Sequence, residues 1–324
     1  MKSTLHGCDV VVTGAGGFVG PHVVRRLQGS GARVRAIAAA PGQASNPLPE
    51  GVDVIHTDVL DRSSLERVIV GADVVVHLAG DASVRRSLAD PIATIDAHVM
   101  GTVNVLEAMR RLRVRRVVYI SSAEVYGRPE SNPVAESARL LPRSPYGAAK
   151  AAAEFAIRAW SSTYDLAGVI LRPFSIYGPG ATTSSLIGGI VGQIAADGRI
   201  ASDDLISVAD VRPVRDYVFV DDVAEAIVAA IESGAHGSLV LNIGSGSGTS
   251  VGAIAQMMAS IASRRGVVED PSRRRPDRID AFELVADVRA AADAIGWSAA
   301  TPLDRGLELT IEAARQTYGR RDDA

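Results

Sequence analysis

A stretch near the start of the chain leaves it few ways to fold. A β-branched run, Val10 to Val12, breaks into Gly14, Gly17 and Gly20 at three-residue spacing, and apolar residues resume at Val23, Val24 and Leu27. That is the pattern of a buried strand feeding a helix through a tight turn. Glycine suits such a turn because it adopts φ > 0. It also has no Cβ to hold a diphosphate away from the N–H groups of the helix N-terminus, where the dipole favours negative charge. The turn is a candidate dinucleotide cradle. Its spacing departs from the G-x-G-x-x-G of ordinary dehydrogenases, because Val19 stands where that pattern, begun at Gly14, needs glycine. At this point a glycine-rich turn that binds nothing stays open.

A chain of 324 residues with 47% hydrophobic content can bury a large core, as one big domain or two lobes. The net charge of −3 is spread without a basic stripe, which argues against nucleic acid, and no apolar run reaches membrane-spanning length. The first strand begins without the apolar core and cleavage site of a signal peptide, so a cytoplasmic location is expected. Cys8, the single cysteine, reads as a small buried hydrophobe at the start of the strand and excludes an internal disulfide or a cysteine-based metal site. No metal is expected from the scattered histidines.

Further along, Arg33 to Ala38, Val52 to His56, Ala72 to Gly80, Arg116 to Ser121 and Gly168 to Arg172 read as strands. Between them, Ser63 to Val70, Ile92 to Arg113 and Tyr146 to Tyr164 have helical spacing, and residues 41–49 form a Pro/Gly/Ser loop. The strands are unbroken Val/Ile/Leu runs, as in a parallel sheet covered on both faces. The fold class is α/β: a doubly wound parallel sheet with a smaller, discontinuous C-terminal lobe. Residues 1–172, rejoined by 216–243, are expected to form the first lobe, with a helix from Asp222 to Ser233 and a strand from Ser238 to Ile243. Residues 173–215, of which 174–215 read as irregular, and 244–324 are expected to form the second, with the substrate in the cleft between lobes. Arg320 to Ala324 reads as a disordered tail.

The composition singles out one cation. The chain has 34 Lys and Arg, of which only Lys2 and Lys150 are lysines, and Lys150 lies four residues after Tyr146. With seven tyrosines in the chain, chance gives this spacing roughly once in fifty. The spacing puts phenol and ammonium one turn apart on a helix face. A phenol of pKa ~10 is a poor base at neutral pH, and a cation beside it favours the phenolate. A compact ammonium can also hydrogen-bond the two hydroxyls of a ribose. Ser122, at the carboxyl end of a strand where open α/β sheets bind ligands, is a third candidate, able to share a hydrogen bond between a substrate hydroxyl and Tyr146.

Six motifs now occur together: Gly14-x-x-Gly17-x-x-Gly20; His77-Leu78-Ala79-Gly80; Ser121-Ser122-Ala123-Glu124-Val125-Tyr126-Gly127; Ser144-Pro145-Tyr146-Gly147-Ala148-Ala149-Lys150; Leu171-Arg172-Pro173-Phe174; and Arg215-Asp216-Tyr217. In order and spacing they resemble the extended short-chain dehydrogenase/reductases, in the nucleotide-sugar epimerase/dehydratase branch. The resemblance implies NAD over the first lobe and a nucleoside-diphosphate sugar under the second. It gives Ser122, Tyr146 and Lys150 catalytic roles. Gly14, Gly17, Phe18, Val19, Ala38, Asp58, Val59, Leu78, Ala79, Gly80, Tyr146, Lys150 and Pro173 would line the cofactor. Ser83, Ser122, Glu124, Tyr146, Ser175, Arg215 and Arg275 would meet the substrate, Arg215 clamping phosphate and Arg275 the choice among Arg273, Arg274, Arg275 and Arg278. A homodimer through the helices near Ile92 and Tyr146 is also implied.

Four positions depart from that branch. Ala38 stands where an acid would hydrogen-bond the ribose 2′-OH of NAD, which leaves NADP possible. His98 and Ser175 replace asparagines. Ala123 before Glu124 replaces the aspartate of the Asp-Glu pair of sugar 4,6-dehydratases, leaving no evident acid for the leaving hydroxyl. The expected function is therefore a nucleotide-sugar 4-epimerase working through a 4-keto intermediate. An NADPH-dependent 4-keto-sugar reductase is the alternative, a dehydratase or decarboxylase stands behind it, and a non-catalytic cofactor sensor is the remaining class.

Overall fold

The computed structural model describes residues 5–39, 46–195, 204–274 and 282–322. The first half alternates strands and helices: β1 (Asp9–Thr13), α1 (Gly20–Gly29), β2 (Arg33–Ala38), β3 (Asp53–His56), α2 (Arg62–Ile69), β4 (Val74–His77), α3 (Val84–Ala89), α4 (Pro91–Ile95), a π-helical turn (Asp96–Met100), α5 (Gly101–Leu112), β5 (Arg116–Ile120), α6 (Pro145–Tyr164) and β6 (Ala167–Pro173). Then follow β7 (Ser175–Tyr177), α7 (Leu186–Ala195), β8 (Leu205–Val208), β9 (Val214–Phe219), α8 (Val220–Glu232), β10 (Ser238–Ile243), β11 (Gly248–Ser250), α9 (Val251–Ile261), β12 (Gly266–Glu269), β13 (Glu283–Leu284), α10 (Arg289–Ile295) and α11 (Leu303–Asp322).

Seven strands form one parallel sheet in the order β10-β6-β5-β4-β1-β2-β3. Each face is covered. Val10, Val12, Val76 and Leu171 pack with Val23 and Leu27 of α1 and Val223 and Ile227 of α8, whereas Val11, Val75 and Ile170 pack with Leu65, Leu106 and Ile157 of α2, α5 and α6. The alternation of Val10, Val11 and Val12 between two dry faces explains the unbroken apolar run, each such side chain contributing about 1.5–3 kcal/mol by burial. From β1 the chain builds outward one way through β2 and β3, then the other way from β4. The switch point lies between β1 and β4, where a doubly wound sheet opens a crevice at its carboxyl edge.

The second lobe has its own core, in which Ile187, Ile190 and Ile194 of α7 meet Ile254 and Met258 of α9 and Leu307 and Ile311 of α11. Its sheets are β11-β9-β13 with β7 on β9, and β8 with β12. Residues 174–215, expected to be irregular, thus contain a helix and further strands: Leu186–Ala195 is apolar nearly all round and buried, so it lacks the polar face by which a surface helix is recognised. Because β9 belongs to this smaller sheet, residues 216–219 lie outside the large one; α8, from Val220, packs on the large sheet and β10 rejoins it. Ala291 and Trp297, from the segment assigned to the second lobe, pack into the core of the first.

Smaller corrections concern ends. β1 starts at Asp9 and Cys8 is only half-buried, packed against the core edge. The helix from Ile92 to Arg113 is interrupted by the π turn at 96–100 and preceded by α3, and α11 runs through Arg320 to Asp322, where a disordered tail was expected. The 41–49 loop is described only from Asn46 onward. No described helix is long and apolar enough to cross a membrane.

Candidate active site

The β1–α1 turn comes first. Gly14 has φ +69°, and a Cβ built on it would stand 2.7 Å from the Ala79 backbone at the end of β4. Only glycine permits that approach. Gly17 N–H bonds back to Gly14 O at 3.0 Å, Val19 caps α1, and Phe18 lies edge-on to His22. The α1 N-terminus so formed points into the crevice. Leu78 N–H donates to Thr13 O, and Ala79 N–H donates to Thr13 Oγ1, so the residues after β4 are tied to β1.

That tie continues inward through groups not singled out in the sequence. Thr102 donates to His98 O at 2.5 Å, and hence accepts from His77 Nε2 at 3.0 Å. His77 Nδ1 then accepts from Thr13 Oγ1 at 2.7 Å. Burial holds the His77 and His98 imidazoles neutral, each pushed down to about 3, with the nearby Lys150 charge adding to the shift. His98, in the place of the expected asparagine, donates from Nε2 to Asp81 O at 3.0 Å and meets the Tyr146 ring edge-on at 5.4 Å. Its ring fills the space a side chain at Gly80, φ +127°, would need: an added Cβ would lie 2.1 Å from His98 Cε1.

The candidate acid–base residues are set by the start of α6. Ser144 Oγ caps the helix by accepting from Gly147 N–H at 3.1 Å, and Pro145 occupies its first turn with φ already suited to helix. Tyr146 and Lys150 follow on the buried face, 6% and 3% exposed. The Ser122 hydroxyl lies close enough to the Tyr146 phenol to favour its ionised form. Lys150 Nζ donates to Ile120 O at 2.7 Å and lies 4.8 Å from the centre of the Tyr119 ring. Burial pushes the Tyr146 phenol well above the usual tyrosine range, opposed by the Ser122 hydroxyl and aided by the charges of Glu124 and Asp81. Burial also pushes Lys150 down to about 7, opposed by Glu154. Among the described residues no second acceptor is recorded for Lys150, which leaves N–H groups for a ligand's hydroxyls.

The remaining candidates are partly gathered. Ala38, 2% exposed, ends β2; Asp58 and Val59 follow β3, with Asp58 Oδ1 accepting from Leu60 N–H; Pro173 ends β6. All therefore stand at the carboxyl edge of the sheet. Glu124 lies in the 3-10 turn 123–125, its N–H on Ser122 Oγ at 3.2 Å. Ser83 caps α3, accepting from Arg86 N–H at 3.1 Å. Ser175 starts β7 and Arg215 lies on β9 in the second lobe, Arg215 Nη1 donating to Val214 O. Its neighbour Asp216 is buried and takes Ser245, Gly246 and Ala286 instead of Arg215. Arg275 lies outside the described residues. Among the described residues no group of three or more His, Cys, Asp or Glu could hold a metal.

The NAD dependent epimerase/dehydratase family model matches residues 10–244. The chain belongs to that family. It is 32% identical over 313 residues to a UDP-glucose 4-epimerase of Mycolicibacterium smegmatis, covering 94% of this chain and 98% of that protein. In structure it is similar to MoeE5 in complex with UDP-glucose and NAD, with a TM-score of 0.84 at 31% identity, covering 98% of this chain and all of the other. It is also similar to RMD from Pseudomonas aeruginosa complexed with NADPH, with a TM-score of 0.83 at 28% identity over 96% and 99% of the two chains. A family member of this kind needs a diphosphate cradle and a ribose anchor. The Gly14 turn and the buried Lys150 fit both needs.

Proposed function

We propose that this protein is a cytoplasmic nucleotide-sugar 4-epimerase that uses NAD. The observation that carries the proposal is the buried Tyr146 and Lys150 pair, with the half-buried Ser122 beside Tyr146 at the carboxyl edge of the sheet and Ala123 in place of a dehydratase's acid. A bound nicotinamide supplies the hydride acceptor and, when oxidised, a positive charge that favours a phenolate. Tyr146 Oη takes the proton of the C4 hydroxyl as C4 gives up hydride, and returns it to the ketone oxygen when hydride comes back to the other face. Ser122 holds the same oxygen, and Lys150 holds ribose hydroxyls. The cycle takes up no net proton, which suits a phenol only 6% exposed. The turn at Gly14, Gly17, Phe18 and Val19 would receive the diphosphate. Leu78, Ala79, Gly80 and Pro173 would line the nicotinamide side, and Ala38, Asp58 and Val59 the adenosine.

The discontinuous second lobe would close over the sugar nucleotide, with Arg215 at its diphosphate and Glu124 and Ser175 nearer the sugar. Leu88, Ile92, Ile95, Met100 and Phe155, exposed on α3, α4, the π turn and α6, support a homodimer through that face. The second reading, an NADPH-dependent 4-keto-sugar reductase, is favoured by Ala38: with no carboxylate there, nothing repels a 2′-phosphate.

Purified protein given UDP-, dTDP- and GDP-sugars with NAD is expected to invert C4 of at least one, and no inversion in any would overturn the proposal. Mass spectrometry of the supernatant from denatured protein separates the alternatives: released NAD supports the epimerase, NADPH the reductase. Tyr146→Phe is expected to lower kcat by about 100-fold or more while cofactor still binds. A variant with unchanged turnover would remove Tyr146 from the chemistry.

A further inference from the structure

Three successive turns of α6 hold three successive residues at the end of β5. Tyr146 lies beside the Ser122 hydroxyl, Lys150 donates to the Ile120 carbonyl, and Glu154, one turn further on, accepts from the Ser121 hydroxyl. The first two belong to the acid–base site. Glu154 takes its hydrogen bonds from Ser121 and Arg172, and its carboxylate is 1% exposed. Arg172 of β6, also 1% exposed, grips it with two hydrogen bonds, Nε to Oε1 at 2.9 Å and Nη2 to Oε2 at 2.6 Å. The guanidinium is itself held on Tyr126 Oη at 2.8 Å and Glu136 O at 3.1 Å, and Tyr126 Oη donates to Asn242 at 2.6 Å.

A buried ion pair of this kind is poor stabilisation, since desolvating both charges offsets most of their attraction and apolar residues of similar volume often do as well. It gives a carboxylate that cannot move. Ser121 and Ser122 are adjacent, and Ser122 is extended, with φ −163° and ψ 149°. The hold on the Ser121 side chain, together with the Ser121 N–H bond to Leu171 O at 2.7 Å, fixes the backbone from which the next residue, Ser122, presents its hydroxyl.

We propose that Glu154 is a positioning residue of the acid–base site, holding Ser121 so that the Ser122 hydroxyl meets the Tyr146 phenol. The inference rests on Tyr146 and Ser122 acting as argued above, but its test does not need turnover. Ser121→Ala removes the grip and leaves the Glu154–Arg172 pair. Glu154→Leu with Arg172→Met removes pair and grip together without leaving one charge buried alone. Ser121→Thr restores the hydroxyl.

In protein carrying 13C at tyrosine Cζ, the Tyr146 resonance, identified by its loss in Tyr146→Phe, is expected to move in Ser121→Ala and in the Leu/Met pair, without cofactor or substrate. It is expected to return in Ser121→Thr. With substrate, kcat is expected to fall about tenfold in each, with KM changed less than about twofold. Adding Ser121→Ala to the Leu/Met pair should cost nothing more, because both act on one hydrogen bond. A lowered melting temperature with the Tyr146 resonance unmoved, or additive losses in the triple variant, would overturn the proposal. Should the Leu/Met pair fail to fold, an unmoved resonance in Ser121→Ala does the same. Wild-type protein inactive on every nucleotide sugar would sink the epimerase reading, and the resonance would still decide this one.

Discussion

Lys150 is a cation placed where a cation is costly. Nearly all of its surface is buried, one N–H goes to Ile120 O, and the charge lies over the Tyr119 ring. Burial brings it down to about 7 from an ordinary 10.5. The sign of the consequence follows from proton counting. Between those two values the unfolded chain carries a proton that the folded protein has released, so stability rises with pH across this window, by up to about 1.4 kcal/mol per pH unit. In Lys150→Met the rise from this group disappears. Urea melts of ligand-free protein at pH 7, 8 and 9 are expected to show wild type gaining on Lys150→Met at each step. Parallel curves would mean that the ammonium is solvated rather than buried. The lysine was legible in the sequence because its residue type is nearly absent elsewhere, whereas Glu154 was hidden among many acids. Its spacing, one turn beyond Lys150 on the same face, was the signal that could have found it.

Among the elements, the β1–α1 turn has the least freedom to change. Gly14 is left-handed, and the Ala79 backbone occupies the place of its Cβ. Gly14→Ala is expected to cost about 1–3 kcal/mol in stability from the backbone strain alone. Because the turn must also part from β4, dinucleotide binding should weaken at least tenfold. Calorimetric titration with NAD checks this, and unchanged affinity would take the turn out of the cofactor site. The glycine spacing was legible because steric demands there are local. So were β2 and β10, whose ends at Arg33, Ala38, Ser238 and Ile243 agree with the expected ones, because each carries a cluster of apolar residues bounded by loop residues. The helix Leu186–Ala195 was not legible: Gly188, Gly189 and Gly192 suggest a loop, and only packing against α9 and α11 makes it a helix. The π turn was equally hidden, because nothing local in Asp96 to Met100 marks an added residue in the turn. Of the candidate site, the residues after β1, β4, β5 and β6 converge as the motifs imply. Ser83 had a competing role as a helix cap that a motif cannot distinguish from ligand contact.

At the scale of the whole molecule, α6 has two faces with different fates. One face of α6 turns Tyr146, Lys150 and Glu154 inward, while Phe155 on the other is 60% exposed. Against α6 lie α3, α4 and the π turn, where Leu88, Ile95 and Met100 are exposed and Ile92 is 74% so. Apolar side chains of this size grouped on one side of a molecule mark a surface that another protein covers. A second copy is the occupant proposed above, and a two-fold axis would set the same face of each copy together. Phe155→Glu and Ile92→Glu should then each shift the protein from dimer to monomer in analytical ultracentrifugation, since two copies of each charge would be buried at the axis. Val70→Glu, on an exposed apolar residue after α2, is the control and should leave the dimer intact. Because the proposed interface stiffens α6 from outside, the melting temperature of wild type should rise with protein concentration and that of Phe155→Glu should not. A wild type that sediments as a monomer, or a Phe155→Glu protein that stays dimeric, would mean that this face is covered by something else.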